Sequence, residues 1–354
     1  MNAKASSARY EAAKLAWVGA RPYQEDNFAY EDLSGPDGAE LVAVLCDGMG
    51  GHAGGDRASA IAVSEAMASL TGEGRSQPPR DRLVAALANA NKGVGAAVKD
   101  DPDLTGMGST FIAVICAQDT VFWISVGDSP MWAVEEGRLI RLNADHSLKV
   151  ELAEQVKRGE LTKEEAARHP QRNALTSAVM GEKIELYDLN HAPLPVGRSL
   201  LLASDGVETL SEQEIEAALR DADQRPGPIA KSLIAAVKAK NAPKQDNTSV
   251  LFVANGGGVG AAPSPSANTS LNFRSHRLFA PVIGAVVALF LTLGAAVWMF
   301  SGGGGDEIAL EDKDQRTGGS AENDAVADAA LDQPPPRCVL TEQARATGAG
   351  SVQA

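Results

Sequence analysis

Acidic residues recur at the ends of short apolar runs: Glu25 and Asp26 in RPYQEDN, Asp47 in LCDGMGG, Asp128 in SVGDS, Asp205 in LASDG and Asp246 in KQDNTS. A carboxylate beside an apolar strand is expensive to desolvate unless it is hydrogen-bonded or bound to a cation. Several of them converging on one edge imply a hard, oxygen-liking divalent ion such as Mg2+ or Mn2+, whereas zinc would call for His or Cys. A lone Asp before Gly reads equally well as a turn cap; recurrence at five places favours a shared site. The glycines of GMGGHAGG look like a phosphate-cradling loop, but the Walker pattern and the G-x-G-x-x-G fingerprint are both missing, so nucleotide binding is disfavoured. Those glycines read instead as a strand turning tightly into a helix that starts near Gly54, letting backbone approach the metals closely. His52 on that turn has the right range for proton transfer but equally the chemistry of an ordinary hydrogen bond, and it carries no assignment.

The elements that must position these acids are legible as patterns. ELVAVLCDG, STFIAVICAQ, DTVFWISVGD, PMWAVEEG, RSLLLASDG and TSVLFVANG are short, β-branched or alternating, and end in Gly, Asp or Asn, which makes them strands. Helical stretches run over about 56–70 and 81–99, through HSLKVELAEQVKRG, and through EQEIEAALRDAD followed by PIAKSLIAAVKAK. Neighbouring strands are joined by turns such as AQD and EEG, which favours hairpins and antiparallel pairing over a doubly wound sheet. An α+β layered fold is expected. The 354 residues carry a net charge of −14, which disfavours nucleic acid as a partner, and three scattered cysteines indicate a reducing setting rather than a disulfide scaffold.

Over residues 15–255 the order and wording of these motifs resemble the metal-dependent protein phosphatases, the PPM or type 2C serine/threonine family, in its bacterial branch. The resemblance rests on GARPYQEDN, VLCDGMGGHAGGDRAS, GMGSTFIAV, SVGDSPMW, NADHSLKVELAEQVKRG, LLLASDGVET and QDNTSVLFVA, in the family's order. It implies a four-layer αββα sandwich of two antiparallel sheets flanked by helices, with a metal site at one end. It also implies hydrolysis of phosphoserine and phosphothreonine in proteins by a metal-activated water, reversing a protein kinase. Carried over residue by residue, Asp47 is similar to the aspartate that bridges two catalytic Mn2+ or Mg2+ ions, and the Gly48 carbonyl ligates one of them. Asp205 and Asp246 match the other carboxylate ligands, Glu25 and Asp26 the acids that hold metal-bound water, and Arg21 the phosphate-binding arginine. Asp128 matches a ligand of an additional, weaker third ion. The chemistry agrees, since two shared ions lower the pKa of a water and steady phosphoryl oxygens, and an Arg fork fits two of those oxygens. The ordinary alternative for Arg21 is a surface salt bridge. The segment from Lys149 to His169 resembles the family's flap beside the cleft, and His146 reads as structural. Pro130 stands where the family commonly has arginine, and TSAVMG, Thr176 to Gly181, replaces a shorter TRALG-like segment.

Downstream, GGGVGAAPSPSANTS reads as a flexible linker within 256–277, and 278–300 is apolar for 23 residues without a charge, long enough for a transmembrane helix. Arg274 and Arg277 before it, and acids after it, predict a single-pass inner-membrane protein with residues 1–255 as a cytoplasmic phosphatase domain. Residues 301–354, with ten acidic and four basic side chains, would then form a disordered extracytoplasmic tail. The expected partners are phosphorylated proteins, a cognate Ser/Thr kinase and inner-membrane lipid. The alternatives are a membrane-anchored phosphoprotein-binding module without enzymatic activity, or a signal transducer.

Overall fold

The computed structural model describes residues 10–35, 38–50 and 54–256, and the strand from Glu40 to Met49 shows how they are layered. Side chains alternate across a strand. Leu41, Ala43 and Leu45 therefore join one buried cluster, while Val42, Val44 and Cys46 join another on the opposite face. The first cluster lies between two sheets and the second between a sheet and helices, so a single strand is buried on both sides and reads as a continuous apolar run.

In chain order the strands are β1 (Tyr10–Trp17), β2 (Asp26–Asp32), β3 (Glu40–Met49), β4 (Gly108–Ser109), β5 (Phe111–Ala117), β6 (Thr120–Val126), β7 (Met131–Glu135), β8 (Arg138–Arg141), β9 (Asp188–Pro193), β10 (Ser199–Ala203) and β11 (Thr248–Asn255). One sheet has the order β1-β11-β10-β7-β8; the other runs β2-β3-β5-β6-β9, with β4 paired to the end of β3. All pairings are antiparallel. The hairpin turns are chemically explicit: Gln118 and Asp119 (φ 50° and 60°) join β5 to β6, and Glu136 and Gly137 (φ 51° and 72°) join β7 to β8. Two consecutive left-handed residues match the strands' twist.

Helices α1 (Gly54–Thr71) and α2 (Pro79–Asp100) cover the β3-containing sheet through Ala58, Ala62, Ala66, Leu83, Leu87 and Val94. Helices α5 (Glu212–Asp221) and α6 (Pro226–Lys240) cover the other through Ile215, Leu219, Ile229, Leu233 and Val237. Two further helices, α3 (Leu148–Arg158) and α4 (Lys163–Arg168), lie in the long connection from β8 to β9. Gly159, left-handed at φ 75°, ends α3, and reciprocal Thr162–Glu165 capping starts α4. The expected four-layer αββα sandwich is the fold.

The expected fold class also ended in a transmembrane helix, and that part is corrected. Among the described residues no helix is long and apolar enough to cross a membrane. The two longest, α1 with 18 residues and α2 with 22, each bury one face on a sheet and present charged residues such as Glu65, Arg80 and Lys92 along their length. An apolar run of spanning length makes a helix possible without requiring one. The run 278–300 lies outside the described residues, as do the linker beyond 256 and the tail 301–354. The single-pass inner-membrane placement, the lipid partner and the extracytoplasmic tail are withdrawn with the helix.

The unusual segment 176–181 is tied down at several points. Val179 exchanges two backbone hydrogen bonds with Ser109 (3.0 and 2.9 Å), and its side chain is fully buried. Asn91 of α2 accepts from the Gly181 N–H (2.9 Å) and donates to the Glu182 carbonyl (2.6 Å). Gly181 has φ +88° and sits so close to Gly95 that a methyl group would strike its backbone. Gly181→Ala is expected to cost at least about 2 kcal/mol, from the left-handed penalty plus overpacking, as a lowered urea midpoint with an unchanged slope.

Candidate metal centre

Strand registers bring the acids together. Asp26 opens β2 directly opposite Asp47 near the end of β3. Asp47 continues the inter-sheet face of Leu41, Ala43 and Leu45, so its carboxyl sits where the apolar layer opens. From the second sheet, Asp205 follows β10 and Asp246 precedes β11, with β10 and β11 paired side by side. Asp128 follows β6 after Gly127, whose φ of +94° turns the chain there. The acids thus come from both sheets at one end of the sandwich.

Their proximity appears in their titration. Burial, then the charges of Asp26, Asp205, Asp246 and Asp128, pushes the Asp47 carboxyl well above its ordinary range. Burial followed by Asp128 and Asp246 raises Asp205 to about 7. Burial raises Asp26 to about 6 against the hydrogen bond from Ser204. Desolvation also raises Asp128, opposed by Lys149, and raises Glu25, opposed by Arg21. Such mutual repulsion is relieved by a cation.

The surroundings fit a divalent ion. Asp26 accepts from Ser204 Oγ (2.8 Å) through one oxygen, while its other oxygen is buried without a partner. Gly48 has no room for a side chain: a Cβ would lie 2.6 Å from the Glu25 carbonyl oxygen. Among the described residues no three His, Cys, Asp or Glu side chains close around a point by themselves. Mg2+ and Mn2+ keep several waters and use few carboxylates per ion, so neither requires three such side chains around one point. Arg21 donates to Asp246 Oδ2 (2.6 Å) and lies 4.0 Å from Glu25, with about half its side chain exposed to the cleft mouth. Every acid expected from the sequence is part of this assembly, and Arg21 is at its edge.

Residues that the sequence reading passed over hold the acids in place. Asn247 accepts from the Glu25 N–H (2.7 Å) and donates to the carbonyls of Val18 (2.8 Å) and Tyr23 (3.0 Å), clamping the loop that carries Arg21 and Glu25. Its only sequence signal is an Asn directly after Asp246. Lys149, the second residue of α3, reaches Asp128 (3.3 Å) and Glu208 (3.4 Å). Arg141 adds a bond to the Asp128 carbonyl (3.3 Å). Pro130, standing after GDS where the family commonly has arginine, accepts from the Ala203 N–H (3.0 Å) and ties the sheet together. His146 is buried, and its backbone joins Gly127 to Thr176, in keeping with a structural role. His52 lies outside the described residues.

Comparison with known proteins decides the family. The model of the Protein phosphatase 2C family matches residues 22–258. The chain belongs to that family. The type 2C phosphatase is 34% identical over 217 residues to the serine/threonine phosphatase Stp of Listeria monocytogenes, covering 60% of this chain and 83% of Stp. It superposes on the crystal structure of the Mycobacterium tuberculosis serine/threonine phosphatase PstP/Ppp with a TM-score of 0.58 at 30% identity, over 69% of this chain and 98% of that one. The PstP catalytic domain solved with two manganese ions gives 0.57 at 28% identity, over 69% and 97%. The type 2C phosphatase described here is a metal-dependent protein serine/threonine phosphatase of the bacterial branch. The non-enzymatic alternatives find no support.

The raised carboxyls set the pH behaviour of the metal-free phosphatase. Asp26 and Asp205 move from 3.8 to about 6 and about 7, so across that window the folded state binds more protons than the unfolded one. Their stabilising contribution is complete below the unfolded value and is lost as pH rises through the folded values. Glu214, held near 2 chiefly by Lys240, titrates below this window. The metal-free protein is therefore expected to melt higher at about pH 5.5 than at about pH 7.5. Added Mn2+ is expected to raise the midpoint more at the higher pH, where protons do not compete. Differential scanning fluorimetry with and without chelator checks both signs.

Proposed function

We propose that the acids at the sandwich end hold the two divalent ions of the phosphatase reaction, with Asp47 bridging them and the Gly48 carbonyl, Asp205 and Asp246 completing the ligand set. When bound, such ions supply a hydroxide-like nucleophile near neutral pH and neutralise charge on the phosphoryl group. The observation that carries this reading is the buried Asp47 carboxyl, flanked by four further acids whose combined charge bound divalent ions would offset. Two ligands come from each sheet end, so the rigid sandwich fixes their spacing before any substrate arrives.

The remaining roles follow from position. Arg21, exposed at the cleft edge and tethered to Asp246, presents its fork to the oxygens of a phosphoserine or phosphothreonine and orients the phosphorus toward the acids. Glu25 and Asp26 accept hydrogen bonds from water in the cleft; burial raises both carboxyls, and Asp26, at about 6, is able to take up a proton near neutral pH. Phosphorylated proteins are the substrates, and a Ser/Thr kinase is the opposing activity. The catalytic unit is assigned to residues 1–255.

Asp47→Asn and Arg21→Ala separate the two kinds of role. With a phosphothreonine peptide and Mn2+, Asp47→Asn is expected to lower kcat by about 10³-fold or more, as for loss of a charge-stabilising group, while Arg21→Ala raises KM by roughly 10-fold or more with a smaller fall in kcat. Full turnover by Asp47→Asn would overturn the reading.

Asp128 is the ligand proposed for an additional, weaker ion, and Lys149 supplies a reason for the weakness. The ammonium already neutralises Asp128, so an ion must displace it. Lys149→Met is expected to tighten the weakest Mn2+ binding step about 10-fold, read by calorimetry as a change in that step alone.

A further inference from the structure

Along β3 the odd-numbered residues face the space between the sheets, and beyond Asp47 the next on that face is Met49. Its cross-strand neighbour on β4 is Gly108, which has no side chain to fill the position opposite. A Cβ on Gly108 would lie 2.8 Å from Met49 Cε and 2.8 Å from Met180 Cγ. The two thioether side chains therefore meet over the glycine. Met180 belongs to the segment 176–181, and the Val179–Ser109 bridge and the Asn91 bonds fix its backbone there. Even so, Met180 is 37% exposed.

Two residues along an antiparallel strand span about 7 Å, so Met49 lies about that far from Asp47 at the same mouth. One residue of an extended peptide spans about half that distance, which places the neighbours of a phosphorylated residue over the two methionines when its phosphate lies at the acids. Around the acids the cleft carries charged side chains of both signs, Arg21 and Lys149 among them, which offer no favourable surface to an apolar group. Methionine is unbranched and polarizable and adapts to several apolar shapes.

We propose that Met49 and Met180 form an apolar subsite at the lip of the cleft, which takes a large apolar side chain of the substrate one or two residues from the phosphoserine or phosphothreonine. The assignment rests on reading the acids as the reaction centre. It makes the added residue in the 176–181 segment a determinant of which phosphoproteins are preferred.

The test compares kcat/KM of the full chain with Mn2+ on phosphothreonine peptides carrying Leu or Ala at each position flanking the phosphorylated residue. At one of those positions Leu is expected to exceed Ala by roughly 5- to 10-fold. Met180→Ser should bring that ratio to within about twofold of one, and Met180→Leu should retain it. The ratio is internal to each variant, so a loss of folded enzyme cancels. Equal rates on Leu and Ala peptides at every flanking position, or a preference that survives Met180→Ser, would overturn the subsite. Failure of the unaltered chain to hydrolyse p-nitrophenyl phosphate would overturn the reading of the centre, and the subsite with it.

Discussion

Like charge confined in one place is the constraint around which this molecule is arranged. Burial and the charges of Asp26, Asp205, Asp246 and Asp128 raise the proton affinity of Asp47, and burial with Asp128 and Asp246 raises that of Asp205. Such a cluster is unfavourable to fold and persists only because the apolar layers beneath it are extensive. Three buried clusters, one between the sheets and one under each helical layer, hold the strand ends where repulsion would otherwise spread them. Stability made in the core is spent at the rim, a trade often met where charge is gathered for chemistry.

The side chains that touch the acids do so in two ways. On one side, Asn247 and Ser204 hold the acids through neutral hydrogen bonds, adding geometry without adding charge. On the other, Lys149 and Arg141 bring positive charge to Asp128 and Glu208. Both halves of the cleft are partly neutralised by the chain itself, one by Arg21 beside Asp246 and Glu25 and the other by Lys149 and Arg141.

Much of this was legible before the fold was known. Apolar runs closed by Gly, Asp or Asn gave the strands β3, β5, β6, β7, β10 and β11 but not β1, β2, β8 or β9, the AQD and EEG turns gave antiparallel pairing, and the acidic motifs named the acids that the fold gathers at one end. What was hidden depended on contacts between residues distant in sequence. Nothing about Lys149 in a helical stretch indicates that it reaches Asp128, and Asn247 is one more polar residue in a loop until β11 is placed beside the 18–25 segment. The apolar run at 278–300, outside the described residues, marks the opposite limit: length and hydropathy are local properties, compatible with a span but insufficient to establish one. Segment 176–181 looked only like a departure from a motif, and its meaning came from Gly95, Asn91 and Ser109, none of them nearby in the chain.

The pairing of β1 with β11, from Tyr10 opposite Asn255 to Trp17 opposite Thr248, has a consequence for how the protein comes into being. The first and last strands of the sandwich are neighbours, and Asp246 and Asn247 reach the loop of Arg21 and Glu25 only through that closure. On the ribosome the chain emerges from its N-terminus, so most of the acids are exposed before the last two members of the assembly have been made. The centre is consequently one of the final features to form, and a nascent or prematurely terminated chain lacking β11 has no means of completing it. Synthesis itself leaves the loop of Arg21 and Glu25 unfastened until the sandwich is whole.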